Sequence, residues 1–175
     1  MAMNNYLTII SLNVNALNAP IKRHRIAEWI RKHDPHICCL QETHLRTKDL
    51  HRLKVKGSKQ IFQANRKKKA GVAILISEKI DFQRRAIKRD PEGHFIILKG
   101  RFHQEDINIV NIYAPNIGAP KYIKKILEDF KKDIDSNTFI VGNFNTPLSK
   151  MDRSSKNIST RILCHLTIPR GNGLN

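Results

Sequence analysis

Apolar and polar residues fall into blocks whose period changes along the chain. Residues 7–14 are apolar and β-rich and finish on Asn13 and Asn15, which predicts a strand with a polar end. Pro20 then opens a helical pattern over 21–33. Ile21, Ile26, Trp29 and Ile30 supply its apolar positions, and Lys22, Arg23, Arg25, Arg31 and Lys32 supply the wet ones. Asp34-Pro35 stops it, because the residue before a proline avoids helical geometry. Residues 37–40 are a second apolar strand that runs into Gln41-Glu42-Thr43-His44. A strand, helix and strand at this spacing predict parallel neighbours.

Residues 45–59 have no clean period and read as a loop with a short helical piece. Strands are predicted at 60–64 and 71–76, with a charged turn at 66–69 between them. Residues 82–89 alternate poorly and suit a sheet edge, and Asp90-Pro91-Glu92-Gly93 makes a hairpin turn into 94–102. Residues 107–113 are apolar on both faces, the mark of a strand covered on each side. After Ala114-Pro115-Asn116, Pro120 opens a second amphipathic helix carrying Ile123, Ile126, Leu127, Phe130 and Ile134. Phe139-Ile140-Val141 is a short buried strand that stops at Gly142 and enters a loop holding Asn143 and Asn145. If strand spacing continues, both amides face one site; the alternative is a turn held by Asn side chains.

Composition adds three constraints. The chain of 175 residues is long enough for one domain with a sizeable core, and no apolar run can span a bilayer. The first strand lacks a basic flank, so no signal peptide is expected and the setting is intracellular, nuclear or cytoplasmic. Cys38 and Cys39 are adjacent, so in a strand they face opposite ways and read as two buried thiols in a reducing compartment. Lys and Arg number 32 against 15 Asp and Glu, a formal net charge of +17. The cations cluster at 22–25, 48–59, 66–69, 84–89 and 121–132, within segments that read as folded. A folded basic protein fits a polyanion, and nucleic acid is the commonest. Aromatic residues are few (6%), which argues against a stacking platform for single strands.

Four strand ends carry polar residues: Asn13, Glu42, Tyr113 and Asn143 with Asn145. Any one alone suits a structural role; Glu42, for instance, suits a helix N-terminus. Together they fit a phosphodiester site. One carboxylate can hold Mg²⁺ with waters completing an octahedron, while amides and a phenol donate to phosphate oxygens.

The stretches Ser11-Leu12-Asn13-Val14-Asn15, Leu40-Gln41-Glu42-Thr43-His44, Asn111-Ile112-Tyr113-Ala114-Pro115 and Gly142-Asn143-Phe144-Asn145-Thr146-Pro147 resemble the motifs of the exonuclease–endonuclease–phosphatase superfamily. The likeness is greatest to the N-terminal endonuclease of the LINE retrotransposon reverse-transcriptase protein, and it runs from about Tyr6 to Lys156. The resemblance implies an α/β fold, a two-sheet sandwich flanked by helices, with the second sheet incomplete. It implies an endonuclease-like domain over 1–156, truncated at its C-terminal side, and an unrelated, poorly ordered tail over 157–175. It implies Mg²⁺-dependent nicking of DNA at T-rich/A-rich junctions, which frees a 3′ hydroxyl to prime reverse transcription. The partner is DNA, bound through the basic surface, with no membrane and a monomeric chain. Glu42 would be the metal ligand, and Asn13 would support metal and phosphate. Tyr113 would contact the scissile phosphate, and Asn145 would stabilise the charge developing on it.

Three departures bear on activity. The family carries Asp where this chain has Asn143, and that Asp orients or deprotonates the attacking water. The family also uses a Ser-Asp-His segment, and no Ser-Asp-His occurs in these 175 residues. Ala16 stands where LINE relatives carry Gly, a substitution that costs about 1 kcal/mol if the site needs a positive φ. The sequence therefore leaves open a working nuclease, a basic nucleic-acid-binding remnant that does not cut, and a product that does not fold stably.

Overall fold

Two β-sheets face each other in the computed structural model, which describes residues 6–65, 69–145 and 162–167. The first sheet is built from β1 (Tyr6–Asn13), β2 (Ile37–Gln41), β3 (Ser58–Ala64), β4 (Val72–Ser77) and β9 (Ile162–Thr167), in the order β3-β4-β2-β1-β9. The second holds β5 (Phe82–Arg89), β6 (Phe95–Phe102), β7 (Glu105–Tyr113) and β8 (Thr138–Asn143) in chain order. Helix α1 (Pro20–His33) covers the outer face of the first sheet, and α2 (Ala119–Asp129) that of the second. This is the α/β sandwich flanked by helices that the motifs imply. Among the described residues, no helix is long and apolar enough to cross a membrane.

Strand alternation builds the core. Leu7, Ile9, Ile37, Cys39, Ile74, Ile96, Leu98 and Ile109 point into the space between the sheets. Their neighbours Leu12, Cys38, Leu40 and Leu75 point the other way, where Ile30 of α1 meets them. On the second sheet Ile97, Val110 and Ile112 pack under Ile126 and Phe130. Cys38 and Cys39 are free and buried on opposite faces, and burial pushes the Cys38 thiol up to about 12 and raises that of Cys39, so neither is a ready nucleophile.

Two parallel pairs set the position of everything that follows. β1 and β2 run parallel, with Asn13 beside Gln41; β7 and β8 run parallel, with Tyr113 beside Asn143. Each pair therefore ends on one edge of its sheet. β5 is an edge strand, and the turn at residues 90–93 returns the chain antiparallel into β6, as the pattern predicts. A 3₁₀ turn at Thr47–Arg52 is the helical piece of the 45–59 loop.

Two expectations need correction. β8 is an edge strand, so it is not buried throughout: Val141 is enclosed but Ile140 is exposed. Ile21 is also exposed, because it lies in the first turn of α1, beyond the sheet that the helix covers. Ile162–Thr167 supplies β9, antiparallel to β1 from Tyr6 opposite Thr167 to Ser11 opposite Ile162. The outer edge of β1 offers a row of backbone donors and acceptors, and pairing through them asks little of side-chain identity. Tail residues outside 162–167, and most of the charged turn at 66–69, lie outside the described residues.

Candidate active site

The chain leaves β2 at Gln41 and at once adopts a left-handed backbone, with φ of +53° at Glu42 and +54° at His44. Such angles cost a non-glycine residue roughly 1–2 kcal/mol. The surrounding loops hold them. Ala16 N donates to the Glu42 carbonyl (2.7 Å), and Leu17 N donates to that of Thr43 (2.9 Å). Thr43 N and His44 N donate to Gly71 and Ala70 (3.1 and 2.8 Å), and Gly71 N donates to Gly93 (3.0 Å). Gly71 and Gly93 have positive φ, and a Cβ at Gly71 would overlap the Thr43 hydroxyl. The turn at Glu42–His44 is thus held by backbone bonds to two loops, one of them braced by Gly93.

Ala16 itself has φ +75°. A glycine would be at ease there, so Ala16→Gly is expected to stabilise the chain by about 1 kcal/mol. Urea unfolding should show a higher midpoint with an unchanged slope; an unchanged or lower midpoint would mean that the left-handed turn carries no strain.

Tyr113 ends β7 and is buried, with its ring stacked on His94 at 5.6 Å and 15°. His94 Nδ1 donates to the Tyr113 carbonyl (2.7 Å), and Tyr113 N donates to the His94 carbonyl (2.7 Å), so ring and backbone are both fixed. The phenol reaches the Glu42 carboxylate and the Asn145 amide. Burial first, and then the bond to Glu42 and its charge, push the phenol pKa well above its ordinary value, while Asn145 acts weakly the other way. Tyr113 therefore stays protonated, a donor aimed at Glu42. Asn145 Nδ2 donates to the Ala114 carbonyl (2.6 Å), which braces the amide against the same strand end.

Asn13 and Asn143 behave alike. Each places its side-chain oxygen on the backbone N–H two residues on, Asn13 Oδ1 to Asn15 (3.0 Å) and Asn143 Oδ1 to Asn145 (3.1 Å). Each is followed by a left-handed residue, Asn15 at φ +48° and Asn145 at +45°. The turn held by Asn side chains is thus real, and the strand does not continue past Asn143. Asn145 reaches Tyr113 because the chain turns, and strand alternation is not the reason. Gly142 allows that turn: its φ is +147°, and a Cβ there would overlap the Ile112 carbonyl.

The structure therefore brings Glu42, Tyr113 and Asn145 into contact and sets Asn143 beside Tyr113 in register. Asn13 sits on the neighbouring strand, opposite Gln41. With its oxygen in the turn, Asn143 has its Nδ2 outside that bond. That atom donates and cannot accept a proton from water. Glu42 supplies one carboxylate, and among the described residues no three His, Cys, Asp or Glu side chains gather to hold a metal. Hard oxygen donors of this kind fit Mg²⁺, which takes one or two carboxylates and completes its shell with water and phosphate. Glu42 keeps acceptor capacity for it after taking the Tyr113 hydroxyl, since a carboxylate has about four lone-pair positions.

Motif reading missed two residues beneath this cluster, Gln41 and Asn111, which are buried and hydrogen-bonded to each other (2.8 Å). Their signal was in the sequence: Asn111 is a polar residue inside a run read as a covered strand, and Gln41 directly follows an apolar one.

A model of the Endonuclease/Exonuclease/phosphatase family matches residues 10–173. The DNA-(apurinic or apyrimidinic site) endonuclease of Dictyostelium discoideum is 31% identical over 120 residues, covering 66% of this chain and 32% of that protein. The Transposon TX1 uncharacterized 149 kDa protein of Xenopus laevis is 25% identical over 175 residues, covering 93% of this chain and 13% of that protein. The chain thus spans less than two thirds of either relative's length. Among solved structures, the 3′ phosphatase NExo from Neisseria bound to a product DNA hairpin is similar in fold, with a TM-score of 0.63 and 20% identity over 82% of this chain and 60% of that one.

Proposed function

The chain belongs to the Endonuclease/Exonuclease/phosphatase family, and from that premise we propose that it carries the phosphodiester site of a LINE-type, Mg²⁺-dependent DNA endonuclease, in a form that holds DNA and does not cut it efficiently. The observation that carries this reading is the contact of a single carboxylate, Glu42, with the protonated phenol of Tyr113 and the amide of Asn145 where β2, β7 and β8 end. The four ordered motifs and the likeness to a transposon protein over 93% of the chain support the LINE-type origin.

Glu42 would hold the cation, with the Asn13 amide oxygen as its neutral partner. When bound, Mg²⁺ supplies a positive charge that neutralises phosphate and polarises its oxygens. Tyr113 is a donor for a phosphate oxygen, kept protonated by burial and by Glu42. Asn145 orients that phenol from the other side and offers its amide to developing charge. Asn143 is the weak point. Its free Nδ2 binds an oxygen through a hydrogen but takes no proton, so the water is left without a base. DNA binding without efficient hydrolysis follows from this donor set.

One carboxylate makes a poor Mg²⁺ site until phosphate completes it. Mg²⁺ is therefore expected to tighten duplex binding in a fluorescence-anisotropy titration, and Glu42→Gln should remove that increment while sparing the Mg²⁺-independent binding. Calorimetry is expected to show little Mg²⁺ uptake without DNA. Tight uptake that survives Glu42→Gln would place the cation elsewhere and sink the assignment.

A further inference from the structure

We infer that Gln41 and Asn111 are positioning residues, a hydrogen-bonded bridge between the two sheets that holds Glu42 against Tyr113. Asn111 is fully buried and Gln41 nearly so, at 0% and 1% exposure. Gln41 Nε2 donates to Asn111 Oδ1 (2.8 Å) and to Ser11 Oγ (3.0 Å). Asn111 Nδ2 donates to the carbonyls of Leu40 (3.0 Å) and Ala73 (2.9 Å). One side chain from the second sheet thus grips β2 and β4 of the first, and receives a bond back from Gln41.

The placement gives the bridge its leverage. Gln41 is the last residue of β2 and directly precedes Glu42. Asn111 is two residues before Tyr113 on β7, so both point into the space between the sheets. The bridge lies one strand repeat, roughly 7 Å, below the contact that it serves. Beneath it the facing side chains are apolar, among them Ile9, Ile37, Ile74, Ile96, Leu98 and Ile109. Apolar packing sets how far apart the sheets lie, but it is non-directional and tolerates lateral slip. Hydrogen bonds of 2.8–3.0 Å fix direction as well as distance. The Glu42–Tyr113 contact crosses from one sheet to the other, so lateral slip is what it cannot survive.

The bland alternative is that these amides merely satisfy one another in a core. The two accounts differ in what a double substitution does. Asn111→Leu alone takes a donor from the Leu40 and Ala73 carbonyls and sets an apolar side chain against the Gln41 amide, which keeps Ser11 Oγ and the Cys39 carbonyl (3.3 Å) as acceptors, and it is expected to lower the unfolding midpoint. Adding Gln41→Leu removes the amide that would face that apolar side chain, so the double substitution is expected to cost less than the two single ones summed. The bridge is still gone, so the Glu42–Tyr113 contact should stay loose. The inference takes its functional meaning from the phosphodiester site proposed above, but its test involves no DNA.

The test is NMR of the full chain labelled with ¹³Cζ-tyrosine. It has three tyrosines, and Tyr113→Phe identifies the relevant signal. Glu42→Gln gives the position of that signal when the carboxylate is absent. In the Gln41→Leu/Asn111→Leu variant the Tyr113 signal is expected to move most of the way to that position. A cooperatively folding double variant with an unmoved Tyr113 signal overturns the inference, as does a Glu42→Gln signal identical to the parent's. If the double variant does not fold, Asn111→Ser carries the test, with a smaller displacement in the same direction expected and an unmoved signal again decisive. Failure to bind DNA would count against the proposed function and leave this result standing.

Discussion

Asn143→Asp should raise Mg²⁺-dependent plasmid nicking by about 10² to 10⁴ in a polypeptide that also supplies a Ser-Asp-His segment, the usual worth of a positioned general base. The turn at 143 can accept the change. Asn143 Oδ1 receives the Asn145 N–H (3.1 Å), and an Asp oxygen can receive the same bond. What changes is the second atom, where a donor becomes an acceptor facing the site. In residues 1–175 alone, which contain no Ser-Asp-His, the same substitution should leave nicking near background. Groups that act as a unit are strongly non-additive, so repairing one of them recovers little. Glu42→Ala should abolish whatever activity the repaired polypeptide has. Conversion of supercoiled to open-circular plasmid measures all of this. Strong cutting by residues 1–175 with Asn143→Asp alone would show that the site needs no further segment. No gain in the extended polypeptide would remove Asn143 as the defect.

DNA binding should weaken by roughly 10³-fold between 50 and 200 mM salt if about six phosphates are contacted, because each neutralised phosphate releases condensed counterions. Many of the cations are open to solvent. Arg84, Arg85, Lys88 and Arg89 are exposed on edge strand β5, and Lys121, Lys124, Lys125, Lys131 and Lys132 are exposed on and just after α2. Several also serve the fold: Arg84 lies over the Phe62 ring, Lys88 over Phe130, and Arg89 Nε donates to the Gln63 carbonyl (3.0 Å). A cation held in place by packing loses less side-chain freedom on meeting phosphate. Glu42→Gln should leave the salt slope unchanged, since the slope counts surface cations and Glu42 is not one. A flat anisotropy titration across that salt range would remove the electrostatic account of binding.

The strands and helices were legible because their period tracks burial, and the parallel β1/β2 pair was legible from helix length. The positions of Asn13, Glu42, Tyr113 and Asn143 at strand ends were legible for the same reason: polar residues interrupt apolar runs there. What escaped was anything that depended on sheet order or on the turns. Ile140 looks like core in sequence, and only the place of β8 at an edge exposes it. Asn145 reaches Tyr113 through a left-handed backbone that no periodicity encodes. β9 was missed because a strand that pairs through its backbone need not announce itself in side chains. Asn111 was read as part of an apolar strand, and its partner lies 70 residues away.

Glu42 belongs to one sheet and Tyr113 to the other, and this has a consequence for the order in which the molecule comes apart. Local fraying at helix ends and loop tips can open and close many times while leaving both residues in place. Separation of the sheets cannot. The site should therefore be lost at the free energy of sheet undocking and no earlier, however mobile its rim. Native-state hydrogen exchange should find the amides of Ala16, Thr43 and Tyr113 exchanging together with the strands between the sheets. For this chain, competence to hold a phosphodiester and integrity of the sandwich should be one transition seen by two probes.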